Sequence, residues 1–482
     1  MSATTLSTSA TNLREKRNIG MGVFFLVVAI AIVGLFAMNS TTEMVTQFGL
    51  DPGAKTNAPK LQEWVPTQVW TLLAPLGITN DKSKVGLPTQ NTLWFLALLA
   101  AFFGGWQLAK GFKRINLALL IVALAFVFAF LTWAARGTSM NLVGMISASL
   151  LRAAPIAFGA LSGILCERAG VINIAIEGLM LTGAMVAVVV ASLFRNFESV
   201  DRITGEPIFP PWLITIGETL DAYNISDTVP WYLLLGLLGG MLIGGVLGAF
   251  HAWLSITFKV DQIVSGTVIN ILAVGITSFL SQRFLQPIQA LNSGGTFKRL
   301  PIPGLSNIPI IGPLLFENSF LIYLLFVLVI SIHIMLFYTR WGLRTIAVGE
   351  HPKAADTLGI NVYKMRYVNV IAGGMVAGLG GAYFTIGSVG RFDEVLTAGK
   401  GFIGLAAMIF GKWTPLGAFG ASLIFGFADA LQVKLQGLGI EQVPIPSEFM
   451  LMAPYIVTMV VLAGVIGRAI PPAADGIPYD KD

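Results

Sequence analysis

The stretch IGMGVFFLVVAIAIVGLFAM, from Ile19 to Met38, decides the fold class because it contains no charged side chain. A helix needs about 20 mostly apolar residues to cross the hydrocarbon of a bilayer, and this run has that length. It follows Arg14, Lys16 and Arg17, yet it is longer than the roughly 7–15 apolar residues of a signal peptide. The run is therefore predicted to be an uncleaved membrane anchor.

Similar apolar runs recur along the chain, in which 55% of residues are hydrophobic and 11% are charged. The composition predicts an all-α fold, a polytopic transmembrane helical bundle of about 11–12 spans. The short run Gly401–Phe410 is predicted as either a full or a re-entrant span. The other spans are predicted at Thr92–Ala109, Ile115–Ala134, Leu142–Leu165, Ile174–Phe194, Trp231–Ile256, Ile263–Phe284, Phe320–Phe337, Val368–Ile386, Pro415–Leu431 and Phe449–Ile466.

Basic residues in short loops favour the cytoplasm, and they predict that both termini are cytoplasmic. The three longest loops then lie outside and are rich in Pro, Gly, Asn and Thr, so we expect ordered loops with surface helices at Asn39–Gln90, Arg195–Pro230 and Leu285–Ser319. The net charge of +5 fits this topology and contact with anionic lipid, not nucleic acid. The inside positions are Lys110, Lys113, Arg114, Arg340, Arg344, Lys353, Lys364, Arg366 and Arg468.

Residues that carry catalysis or bind metals are scarce in this sequence. Cys166 is the single cysteine, and the 3 histidines are scattered. The FGKWT stretch at Phe410–Thr414 lacks both the hydroxyl residue after its lysine and the upstream glycine of a Walker A motif, since Ala406 stands there. We therefore expect no enzyme activity, no metal and no cofactor bound by this chain.

Two predicted spans carry glycines four residues apart, a spacing that permits close helix contact in lipid. They are Gly240, Gly244 and Gly248 in one span, and Gly374 and Gly378 in another. This spacing predicts tight packing within the bundle.

A short charged stretch, KAADTLG, begins at Lys353 and interrupts the mostly apolar sequence. Pro352 suits the first position of a helix, and Gly359 suits the left-handed residue after its end. The two turns between them need a surface to pack against, because so short a helix is unstable alone. Ala354 and Ala355 would let another surface approach closely, so we expect a cytoplasmic docking helix. The alternative is an ordinary loop between spans.

The stretch ERAGVINIAIEG, starting at Glu167, places Gly170 and Asn173 between two apolar runs. It predicts a break at membrane depth, where irregular backbone is tolerated inside protein or beside a watery cavity. Asn173 and Glu177 are therefore candidate pathway residues. The alternative is that Glu177 pairs with a neighbour such as Arg168 and only fixes the fold.

Further polar residues occur inside predicted spans. Arg152 either lines the pathway or forms a structural ion pair. Asp261, Gln262, Thr267 and Asn270 form a polar stripe, for which hydrogen bonds between helices are an alternative to a pathway role. Asp429 is a similar case. The candidate pathway residues are Arg152, Asn173, Glu177, Thr267 and Asn270.

The KAADTLG stretch resembles the EAA-x-x-x-G coupling motif of importer-type ABC permeases, with Lys353 in place of the glutamate. Three segments resemble the branched-chain amino acid and simple sugar branch: CERAGVINIAIEGLMLTGA at Cys166–Ala184, AADTLGINVYKMRY at Ala354–Tyr367, which overlaps KAADTLG, and the run Thr397–Gln432. Within it the chain is most similar to the nucleoside-type subfamily served by basic-membrane-protein-like lipoproteins. The resemblance begins near Asn141, so residues 136–482 are expected to form the permease core. Residues 1–135 are expected to be an accessory region with three spans and a long external loop.

The resemblance implies a permease subunit in a bacterial inner membrane, importing a nucleoside or nucleobase. Its implied partners are a homologous second permease, two cytoplasmic ATPase subunits that use the ATP, and an external solute-binding lipoprotein. Pro352, Lys353, Ala354, Ala355 and Gly359 would form the cytoplasmic coupling helix that contacts the ATPase. The alternatives are a simple-sugar or branched-chain amino acid permease, or a secondary transporter that couples to ions through Glu177 and Asp429.

Overall fold

The computed structural model describes residues 19–42, 44–49, 73, 76, 78–81, 84–137, 139–196, 210–213, 215–216, 229–437 and 469–481. Its helices, in chain order, are α1 Ile19–Ala37, α2 Thr89–Ala109, α3 Ile115–Ala134, α4 Leu142–Glu167, α5 Ile176–Arg195, α6 Trp231–Thr257, α7 Gln262–Leu285, α8 Ile311–Leu315, α9 Phe320–Tyr338, α10 Arg340–Glu350, α11 Pro352–Thr357, α12 Val362–Val389, α13 Lys400–Phe410 and α14 Pro415–Gly437.

Ten of these helices are long and apolar enough to span a membrane, which confirms the predicted all-α polytopic bundle. The remaining long run, Phe449–Ile466, lies outside the described residues. The short run is helix α13, whose 11 residues extend about 16 Å at 1.5 Å per residue. That length covers roughly half of a hydrocarbon core of about 30 Å, so α13 does not cross the membrane by itself.

Two of the three long segments that we expected outside, Asn39–Gln90 and Leu285–Ser319, contain short strands as well as loops, so the expectation of loops with surface helices is wrong in part. The period of two in β1, where Thr46 and Phe48 are buried, explains why this stretch is extended. A four-stranded sheet has the order β2-β3-β1-β4, with β1 and β4 parallel, and β5 pairs with β6 in antiparallel fashion. The strands are β1 Val45–Gly49, β2 Thr79–Asp81, β3 Lys84–Pro88, β4 Ser139–Asn141, β5 Arg299–Pro301 and β6 Glu317–Ser319.

Helices α1, α2 and α3 share a buried apolar cluster of their own, which includes Phe25, Ile32 and Leu93. A second, smaller cluster joins this group to the rest of the chain, where Phe48 and Met140 pack together beside α14. The parallel pairing of β1 with β4 ties the same region to the start of α4.

Deleting residues 1–135 is expected to lower the amount of assembled protein more than it alters substrate preference. The deletion removes the partner of β4 and uncovers Met140, while the glycine-packed helices that follow keep their contacts. The measurements are membrane abundance and relative uptake of competing substrates. A deletion variant with normal abundance and changed selectivity would contradict the accessory role.

The glycines predicted to pack do so where α6 crosses α12. A Cβ on Gly248 would lie 2.9 Å from the carbonyl oxygen of Val370, and a Cβ on Gly378 would overlap the carbonyl oxygen of Gly240. The two backbones are therefore in direct contact. Helix α4 is the most enclosed of the described spans, with 89% of its apolar window buried.

Candidate functional site

The break between α4 and α5 forms as the sequence predicts. Gly170 has φ +81°, a conformation that favours glycine. The fully buried Asn173 accepts a hydrogen bond from the Ala175 amide at 3.1 Å and lies 3.4 Å from the Cys166 sulfur. Asn173 thus holds the backbone of the break.

Glu177 lies in the first turn of α5 and is buried against the start of α13. Its carboxylate accepts hydrogen bonds from the Thr397 hydroxyl and from the amides of Gly399 and Gly401, at 2.8 and 2.7 Å for the amides. A carboxylate at a helix N-terminus satisfies free amides and the helix dipole. The alternative prediction that Glu177 pairs with Arg168 is wrong, because Arg168 donates to the Trp413 carbonyl instead. A pathway role for Glu177 stays a prediction.

The polar stripe of α7 divides between two faces of the helix. Asn270 is buried, accepts from the Gly178 amide at 2.8 Å and donates to the Ile174 carbonyl at 2.9 Å. Thr267 is exposed and donates to the Ile263 carbonyl of its own helix. Hydrogen bonding between helices, the alternative explanation of the stripe, therefore holds for Asn270.

A cavity of about 520 Å³ lies between α4, α12, the antiparallel strands β5 and β6, and the first residue of α13. Three of its lining side chains form an ion network. Asp429 of α14 accepts from Lys400 at 2.8 Å and from Arg152 at 3.2 Å. Arg152 lies ten residues after Leu142, the first residue of α4, which is about 15 Å along the helix at 1.5 Å per residue. The cavity therefore reaches into the interior of the bundle.

Of the five candidate pathway residues, Arg152 lines this cavity. Arg152 forms the structural ion pair that one explanation predicts and also faces the cavity, and its pathway role stays a prediction. The remaining walls carry aromatic rings and small polar groups. They include Phe297, Phe384, Tyr383, Ser147, Asn318 and Ser388.

Sequence reasoning missed Lys400 as a cavity residue. The sequence did mark Lys400, because it is a single lysine at the start of an apolar run, and an ionisable side chain at membrane depth usually faces a partner or a cavity. The aromatic residues gave no signal, since phenylalanine is frequent in every span.

The short helix predicted at KAADTLG is α11. Pro352 is its first residue, and Gly359 follows it with φ +80°. The amide of Ile360 donates to the Ala355 carbonyl at 3.1 Å, and the amide of Gly359 donates to the Asp356 carbonyl at 2.8 Å. These bonds close the helix with the left-handed cap that the sequence predicts.

The two alanines of α11 lie on different faces of the helix. Ala355 is 2% exposed and belongs to a buried cluster with Val348 and Val362, whereas Ala354 is exposed. The expectation that both alanines meet a partner surface is wrong for Ala355, because the short helix must bury one face against its own chain to be stable. Leu358, 81% exposed, stands beside Ala354 as an apolar contact point.

Replacing Gly359 with Val is expected to cut ATP-driven transport and weaken attachment of a cytoplasmic ATPase. Among the described residues, no atom beyond the adjoining backbone lies within 4 Å of a Cβ built at this position, so the effect would come from the backbone alone. A side chain in the left-handed conformation costs about 1–2 kcal/mol, and more for a β-branched residue. The measurement is co-purification of the ATPase at equal permease abundance.

Gly359→Asn is the matched control, because asparagine tolerates the left-handed conformation. It should behave like the parent chain. Equal transport by both variants would mean that the geometry of this cap has no role in coupling.

The C-terminal residues return to the same region. The amide of Ala474 donates to the Gly349 carbonyl at 2.8 Å, at the end of α10. Burial raises the pKa of Asp475 to about 6, and the Glu167 carboxylate is its neighbour. Glu167 also accepts from the Trp413 indole at 2.6 Å. The tail is thus part of the packed surface that carries α11.

A family model described as the permease component of branched-chain amino acid transport systems matches residues 145–462. The guanosine ABC transporter permease protein NupQ of Bacillus subtilis is 41% identical over 338 residues, which cover 70% of this chain and 96% of NupQ. The nucleoside permease NupC of Lactococcus lactis is 39% identical over 348 residues, covering 71% and 99%. NupB, another nucleoside permease of that strain, is 23% identical over 220 residues, covering 45% and 58%.

No solved structure matches the chain. The family match spans more than half of the sequence, and the ten apolar helices agree with it. The chain is a multi-pass membrane protein that belongs to the family of branched-chain amino acid transport system permease components.

Proposed function

We propose that this permease imports nucleosides or nucleobases across a bacterial inner membrane, driven by ATP hydrolysis on partner subunits. The observation that carries the proposal is the cavity at Arg152, which lies inside the bundle and combines aromatic rings with polar side chains. The names of NupQ and NupC support the same substrate class.

The volume of the cavity suits a nucleoside, since small-molecule sites measure about 300–1,000 Å³. Phe297 and Phe384 offer flat apolar surfaces, and stacking of a base on an aromatic ring contributes about 1–3 kcal/mol. Ser147, Asn318 and Ser388 offer hydroxyl and amide groups that would hydrogen-bond a sugar. A branched-chain amino acid carries no flat ring, so these walls favour the nucleoside.

The proposed complex contains a second permease, two cytoplasmic ATPase subunits and an external lipoprotein that delivers the solute. This sequence contains one KAADTLG stretch, whereas an ABC motor has two ATP sites, so a second permease is needed to engage both. NupB and NupC are both named nucleoside permeases of one strain, which supports a heterodimer of homologous chains. Native mass measurement of the complex tests this composition, and a lone permease with one ATPase would contradict it.

Uptake by proteoliposomes that contain the full complex tests the substrate. Guanosine, glucose and leucine would be offered separately with the lipoprotein outside and ATP inside. We expect ATP-dependent guanosine uptake that a proton uncoupler leaves unchanged. Uptake of glucose or leucine in place of guanosine would overturn the substrate. Guanosine uptake that needs no ATPase and stops with the uncoupler would instead establish a secondary transporter.

A further inference from the structure

The last described residues, 472–481, form a segment with a turn at 473–476 and no helix or strand, which we name the C-terminal strap. Its first half is hydrogen-bonded to the cytoplasmic ends of two helices. The Ala474 amide donates to the Gly349 carbonyl of α10 at 2.8 Å. Arg366 of α12, which is 1% exposed, donates to the Ile477 carbonyl at 2.9 Å. The strap is therefore anchored to the fold by its own backbone.

The same half of the strap lies directly against the break between α4 and α5. A Cβ on Gly170 would be 3.0 Å from the Ala474 carbonyl oxygen, and a Cβ on Gly476 would be 2.7 Å from the Ile172 side chain. A side chain at either glycine would require the neighbouring atoms to shift, so the strap and the break are in close contact. Movement of the strap would thus act directly on the backbone of the break.

The second half of the strap holds the coupling helix α11. Tyr479 is 6% exposed and shares a buried cluster with Ala355 and Val348. Lys481 forms an ion pair with Asp356 at 3.4 Å. The inward face of α11 therefore packs on the strap as well as on the helices beside it.

The joint between the two halves is polar and incompletely paired. Arg366 Nε and Nη2 and one carboxylate oxygen of Asp475 are buried without a hydrogen-bond partner among the described residues. Unpaired buried polar groups are rare in native proteins and occur at strained or functional sites. A joint with spare donors and an acceptor can exchange partners when its neighbours shift.

We propose that the C-terminal strap transmits movement of α11 to the break before α5, with Tyr479 as the positioning residue that engages α11. The proposal rests on the proposed function, because the movement comes from ATPase subunits bound at α11. The strap touches both ends of the route, whereas α11 itself packs on α10 and α12.

Two variants test the strap in the complete reconstituted complex: a chain ending at Gly476, and Tyr479→Ala in the full-length chain. Both should insert, bind ATPase and support ATP hydrolysis. The substrate transported per ATP hydrolysed should fall by about tenfold or more, as for loss of coupling between distant sites. This ratio separates transmission from folding, since a folding defect lowers transport and hydrolysis together.

Ile470→Ser is the matched control, because this side chain is 72% exposed just before the strap and should leave the ratio unchanged. An unchanged ratio of transport to ATP hydrolysis in Tyr479→Ala would overturn the proposed transmission through the strap. A parallel loss of transport, hydrolysis and abundance would overturn it as well. The parent complex, tested in the same vesicles, tests the proposed function separately. If it moves no nucleoside with ATP, that function fails whatever the variants do.

Discussion

Gly378→Leu is expected to remove most of the protein from the membrane. Gly378 lies where α12 crosses α6, and any Cβ there would overlap the carbonyl oxygen of Gly240. A side-chain clash can be relieved by a new rotamer, but a clash with backbone requires the two helices to separate. Overpacking costs about 1–3 kcal/mol in ordinary cores, and a rigid contact of two backbones should exceed that. Abundance in the membrane fraction and melting temperature in detergent measure the effect.

Gly275→Leu supplies the comparison. Gly275 is also inside a span, but in the part of the chain that the structure describes no atom beyond its own helix lies within 4 Å of a Cβ built there. The same leucine should therefore be tolerated. If both variants were equally abundant, the glycine contact between α6 and α12 would not hold the bundle together.

The sequence predicted the features that depend on local pattern. Span positions follow from runs of apolar residues, and the close crossing of α6 with α12 follows from glycines at every fourth position. The break at Gly170 and the left-handed residue Gly359 follow from glycine, which interrupts an apolar run and adopts a positive φ without steric cost.

Features that depend on distant contacts could not be predicted. The ion network joins Arg152, Lys400 and Asp429 from three helices, and no pattern in the chain links these positions. The inward face of α11 was equally hidden, because Ala354 and Ala355 are alike in sequence and only packing separates them. The carboxylate of Glu177 accepts hydrogen bonds from backbone amides at the start of α13. Backbone amides occur at every residue but proline, so no sequence pattern marks these two as partners.

Asp429→Ala is expected to lower both abundance and transport, because it leaves Lys400 and Arg152 without their shared partner. Removing one partner of a fully buried ion pair costs about 3–5 kcal/mol, and this network is only partly buried, so solvent screening makes the expected loss smaller. The Lys400 side chain is 20% exposed and the Arg152 side chain 37%, so most of the cost falls on the lysine. This single variant measures the stability of the network but does not separate it from substrate contact.

A triple variant, Arg152→Leu with Lys400→Met and Asp429→Leu, separates the two. Apolar side chains of similar volume often replace a buried ion network with no loss of stability, or with a gain of about 1–4 kcal/mol. Abundance and melting temperature should therefore return to the parent values or exceed them. Transport should not return, because the cavity would have lost the charged groups that face the solute. We expect uptake to fall by about a hundredfold, because polar groups of the solute would enter the cavity without partners, at about 1–3 kcal/mol each. If the triple variant transported at the parent rate, the three charges would only hold α4, α13 and α14 together, and the solute would have to contact the aromatic and hydroxyl walls alone.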